Sequence, residues 1–154
     1  ETPEYSLDAT NTIKAISKFQ DFIDKYPQSD SLITCNRLMD ELTLNLSKKA
    51  FANAKQYYTT ENYRAAIIAL NNVLIDHPSV IDREEIYFLI LESSYFLAIN
   101  SIESKKEDRL FKTVESYNQF IDNFPESIYK NKAISIHQNT IKTIEELKTN
   151  KNEI

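Results

Sequence analysis

Few residues in this 154-residue sequence have the chemistry to react or to bind a metal. It contains two histidines, His77 and His137, and one cysteine, Cys35. A zinc site needs several convergent His, Cys or carboxylate ligands. His77 sits in a slot that aromatic residues hold elsewhere in the chain, and His137 falls in a segment patterned as a helix, so packing accounts for both. Cys35 would act as a nucleophile only beside a base and an orienting group. Its surroundings, Leu32-Ile33-Thr34-Cys35-Asn36-Arg37-Leu38, read instead as a helix carrying a small inert thiol. The acids Asp40, Glu41, Glu84 and Glu85 come in adjacent pairs. Neighbours on a helix diverge by about 100° and cannot share a proton, so these read as solvated surface. No nucleophile, base and oxyanion donor can be assembled, and no catalytic, cofactor-binding or metal-ligating residue is assigned.

Glycine is absent altogether, where average usage is about 7%. Without it, phosphate loops, nucleophile elbows and tight β-hairpins lose their usual backbone. The formal net charge of -5 is spread over both signs without a basic run, which argues against nucleic acid. Apolar residues at 42% suffice for a packed core, and no apolar stretch approaches the roughly 20 residues of a membrane helix.

What remains is a repeat. Ala15 to Pro27, Ala66 to Pro78 and Thr113 to Pro125 can be stacked on one another. Each block opens on a small residue twelve before its proline, and places a large apolar residue (Phe19, Leu70 or Tyr117) eight before it. Further apolar residues follow five and four before it, and Tyr26, His77 or Phe124 immediately precedes it. Steps of three and four put the apolar positions on one helix face. The residue before a proline is driven out of the helical region, which predicts helix ends near Tyr26, His77 and Phe124. A helix with one such stripe cannot bury it alone, whereas stacked neighbours can.

The pattern resembles the second helix of a tetratricopeptide repeat, and Ala54, Tyr57 and Tyr63 match its first-helix half. The period departs from that family. Pro27 to Pro78 spans 51 residues and Pro78 to Pro125 spans 47, against 34 in the family. The simplest accommodation is to lengthen each first helix. We therefore expect one all-α tetratricopeptide-like domain over 1–154, a right-handed superhelix of antiparallel helix pairs. Repeat helices are predicted at about 11–26, 30–58, 61–76, 82–104 and 107–123, with a capping helix at about 127–149. Ser29, Asp82 and Ser127 are candidate N-caps, and the charged run from Glu103 to Arg109 is read as a turn. The first block lacks a leading helix, so the array is expected to continue upstream.

Of the nine tyrosines, Tyr57, Tyr63, Tyr95 and Tyr117 fall on the expected core stripes. Tyr58, one residue off, is expected to look toward the inner groove with Lys48, Phe51 and Lys55. These four form a candidate partner-binding surface, unless Phe51 and Tyr58 pack on the neighbouring repeat instead.

Order and spacing carry the resemblance further. Tyr5-Ser6-Leu7-Asp8 followed by Thr12, Ala54-Lys55-Gln56-Tyr57-Tyr58, Asn62-Tyr63-Arg64-Ala65-Ala66-Ile67, Asp76-His77-Pro78, the Asn100-Ser101 turn and Tyr117 to Phe120 are similar to the C-terminal repeats of the BamD family, most of all to Bacteroidetes members. The resemblance implies a non-catalytic lipoprotein scaffold on the periplasmic face of the outer membrane, anchored through an upstream lipid. It also implies a protein partner, BamA, held through a POTRA domain together with other components of the β-barrel assembly complex. A generic tetratricopeptide adaptor is the next reading. A SusD-like glycan-binding lipoprotein is a weaker one, because the chain has no Trp and no long loops for sugar platforms.

Overall fold

A computed structural model describes residues 9–152; the Tyr5 to Asp8 motif lies outside them. Six helices follow one another: α1 Thr10–Lys25, α2 Leu32–Thr59, α3 Tyr63–Asp76, α4 Arg83–Ile99, α5 Glu103–Asn123 and α6 Lys130–Asn152. Consecutive helices pack as antiparallel pairs, and α4 also touches α2 and α6, the connectivity of a tetratricopeptide-like solenoid.

The three proline stops are built alike. Tyr26, His77 and Phe124 leave the helical region at φ/ψ of -129/63, -128/70 and -136/64. Each retains an N–H bond to the carbonyl four residues back, and each offers its own carbonyl to the N–H three residues on. One turn chemistry therefore closes all three blocks, where the aromatic-proline pairs place it. Asp82 occupies the cap position of α4 without a side-chain bond. Ser29 and Ser127 stand ahead of the helix starts, and their hydroxyls accept the N–H groups of Ser31 at 3.2 Å and Tyr129 at 2.9 Å. Ahead of α3, Asn62 is the cap whose side chain accepts a helix N–H, that of Ala65 at 3.4 Å.

Without glycine, the α2–α3 turn uses Glu61, with φ 58. The N–H of Asn62 reaches the Tyr57 carbonyl and that of Glu61 reaches Tyr58, the paired bonds of a Schellman motif. Glu61 holds the left-handed position that glycine usually fills.

Two expectations need correction. α4 ends at Ile99, and the charged run from Glu103 is the opening of α5 rather than a turn. Nothing in that run breaks a helix. Asp108 and Lys112 pair one turn apart at 2.9 Å, and the real turn is Asn100-Ser101-Ile102. There Arg109 Nη1 donates to Ser101 Oγ at 2.6 Å. The second correction is Tyr57, which is 45% exposed rather than in the core. The buried positions of this part of α2 are Ser47, Phe51 and Ala54, and Tyr57 points off that line.

The core is distributed between repeats. One cluster joins α2, α3 and α4 through Phe51, Ala54, Ala66, Leu70, Ile86 and their neighbours. A second joins α4, α5 and α6 through Phe88, Leu91, Phe120, Ala133 and Ile136. A third is Ala98, Leu110 and Ile144. α4 enters all three and buries eight residues around its circumference, so it has no purely solvated face. The signature residues Ala66, Leu70 and Thr113 are fully buried. Tyr63, stacked on Phe96, and Tyr117, packed on the second cluster, are half-buried, as are Ala15 and Phe19 of α1. α1 has no buried residue and does not touch α3.

Candidate protein-binding surface

α2 and α4, the first helices of their pairs, and the last helix α6 follow one another on one side of the array, α4 touching both of the others. Because α2 and α4 run parallel, residues of one meet residues a repeat further on. Lys55 Nζ lies 2.6 Å from Glu85 Oε1. The Tyr58 hydroxyl donates to Glu92 Oε2 at 2.7 Å. Burial and then the Glu92 carboxylate push the Tyr58 phenol well above the ordinary tyrosine range. Tyr63 stands edge-on to Tyr58, with centroids 6.3 Å apart, and stacks on Phe96 at 5.1 Å. Its phenol is also raised, by burial and then by Glu61 and Glu92.

α4 is tied to α6 by aromatic contacts. Phe88 and Tyr129 stack at 4.5 Å with ring planes 10° apart. Lys132 Nζ lies 5.8 Å from the Phe88 centroid, a cation–π distance. The Ile128 N–H donates to Glu84 Oε1 at 3.2 Å. Burial, then Glu85 and Glu84, raise the Tyr129 phenol, against a smaller opposing effect of Lys55. The result is a row of alternating charge and aromatic surface from Lys55 through Glu85 and Tyr129 to Lys132.

The four residues singled out from sequence occupy different depths on this side. Lys48 is exposed. Lys55 is half-exposed, with its ammonium 5.7 Å from the Phe51 centroid. Phe51, 8% exposed, belongs to the first core cluster, and Tyr58 packs partly buried against that cluster. Phe51 and Tyr58 thus join repeats from beneath, and the two lysines supply the outward chemistry.

Glu84 and Glu85, read from sequence as plain solvated surface, both bridge to other helices or turns. Glu92, Phe88 and Tyr129 carry no distinguishing motif in the sequence. A signal existed: once α2 and α4 are laid parallel, the basic and phenolic residues of α2 meet the acids of α4.

His77 is half-buried beside α2. His137 stacks on Tyr117 at 4.2 Å, which explains its place by packing. Cys35 is a half-buried free thiol. Among the described residues, no three His, Cys, Asp or Glu side chains group to hold a metal ion. Alternating charges and rings across parallel helices form a surface suited to another protein, where aromatic and cationic side chains dominate contact energy.

A family model described as YfiO, outer membrane lipoprotein, matches residues 1–110 of the chain. No curated protein matches it.

Proposed function

Because the chain belongs to the YfiO family of outer membrane lipoproteins, the BamD family of outer-membrane assembly scaffolds, we propose that it holds BamA through a periplasmic POTRA domain. The matched family is one of outer membrane lipoproteins; in this reading the chain works at the periplasmic face of that membrane, by binding rather than by catalysis. Among the described residues no helix is long and apolar enough to cross a membrane.

The observation that carries the proposal is the continuous side formed by α2, α4 and α6. Its polar groups are fixed in place by contacts between repeats: Glu85 by Lys55, Glu92 by Tyr58, and Tyr129 by Phe88. Groups already ordered cost less entropy when a partner arrives. Lys48 and Lys55 contribute positive charge at one end, and Phe51 and Tyr58 hold the helices that present them. In this reading the repeats here are the scaffold-facing part of the family architecture.

Calorimetric titration of the chain with the POTRA domains of its cognate BamA tests the proposal. A saturable complex supports it. No heat and no complex at high micromolar concentration removes it.

A further inference from the structure

The long helix α2 is flanked in turn by α1 and α3. α2 has 28 residues and is about 42 Å long at about 1.5 Å per residue. α1 folds back along its first part, since the Tyr26–Ser31 turn joins them. α3 folds back along its last part, from the turn at Thr60 to Asn62. With 16 and 14 residues, these helices are about 24 and 21 Å long. Each packs against α2, and α1 and α3 make no close approach to one another.

A cleft of about 200 Å³ lies between α2 and α3. Its floor is small and apolar: Ala54, Ala69 and Val73. Its rim is polar. Asn53 stands on the α2 wall with the 45%-exposed Tyr57, and Asn72 and Asp76 stand on the α3 wall. Asn53, Asn72 and Asp76 are exposed, and none of the three uses its side chain in a hydrogen bond or ion pair among the described residues.

Each carboxamide offers both donor and acceptor groups. Two of them, on opposite walls of an apolar floor, complement the main chain of an extended segment, whose N–H and C=O groups must be satisfied when it leaves water. An alanine floor admits small or β-branched side chains. Asp76 adds a full negative charge where the carbonyl end of α3 already carries a partial one, and no Lys or Arg lines the cleft.

We propose that the α2–α3 cleft is a second binding site, which takes an extended peptide segment of another protein with a basic residue at its Asp76 end. Asn53 and Asn72 hold the main chain, Ala54 and Ala69 give room to its side chains, and Asp76 selects Lys or Arg. The site shares no residue with the Lys48–Lys55–Tyr58 side, so it stands or falls apart from the POTRA proposal.

The test uses the full chain, isotope-labelled for NMR, and two blocked peptides, Ala-Val-Ala-Arg-Ala-Val and its twin with Glu for Arg. The arginine peptide is expected to shift the backbone amide signals of Ala54, Ala69 and Val73 on the cleft floor saturably at concentrations up to about 1 mM, and the glutamate twin to bind at least about tenfold more weakly. Asn53→Ala with Asn72→Ala should abolish the shifts at an unchanged melting temperature, and Asp76→Asn should make the two peptides bind alike. Ala69→Leu, which fills the floor, should also abolish binding without touching the rim. No saturable shift, shifts confined to other surfaces, or binding that survives both the asparagine and the Ala69 variants would overturn the proposal.

Discussion

Tyr58 of α2 gives its phenolic hydrogen to Glu92 of α4 across 2.7 Å, and this bond joins two successive repeats at a partly buried point. A hydrogen bond to a charged group contributes about 1.5–3 kcal/mol. Tyr58→Phe keeps the ring against Tyr63 but leaves Glu92 without its donor. Chemical denaturation should show a loss of about 1–3 kcal/mol; a change within experimental error would mean that solvent already satisfies Glu92.

The raised phenols give the fold an alkaline limit. Tyr58, Tyr63 and Tyr129 all titrate above the ordinary tyrosine range when folded. An unfolded chain releases these protons first, near pH 10. Their contribution to stability is therefore complete below about pH 10 and is lost as pH climbs through the higher folded values. Stability measured against pH should fall on the alkaline side with a shallower slope in Tyr58→Phe than in the parent. An equal slope in the two proteins would mean that Tyr58 does not titrate as the geometry requires.

Ala66 is fully buried between α3 and its neighbours. Ala66→Leu inserts three carbons where helices meet closely and should cost about 1–3 kcal/mol in denaturant unfolding. A neutral result would mean that the small residue of the repeat is not a close-approach point.

Glu61 sits at φ 58 in the helix-ending turn after α2. A left-handed residue with a Cβ is strained by about 1–2 kcal/mol, part of which glycine returns to the unfolded chain as entropy. Glu61→Gly should raise stability by about 0.5–1 kcal/mol. Destabilisation would show that the Glu61 side chain contributes more than its backbone costs.

Much of this architecture is legible in the residues, for a local reason. The aromatic-proline pairs at Tyr26, His77 and Phe124 act on their own backbone, so the sequence places those helix ends within a residue. The start of α5 is less legible, because a mixed run such as Glu103 to Arg109 suits a turn or a helix flank equally well. It is decided by where Asn100 and Ser101 close α4. The exchange of Tyr57 and Tyr58 is a rotation of about 100° on one helix, which depends on the neighbour that α2 meets at that height. The partners Glu85 and Glu92 needed the parallel alignment of α2 with α4, a tertiary fact. The cleft between α2 and α3 was not legible either, because it depends on how closely the two helices pack at Ala54 and Ala69.

The central claim is that the side shared by α2, α4 and α6 receives a POTRA domain. Hydrogen exchange of the chain, alone and with the cognate POTRA domains, tests it most directly when paired with Lys48→Glu, which alters an exposed residue. Protection is predicted along the Lys55, Glu85 and Tyr129 row, with affinity lowered several-fold by Lys48→Glu and no change in melting temperature. Protection confined to α3 and α5, with Lys48→Glu binding as tightly as the parent, would contradict it.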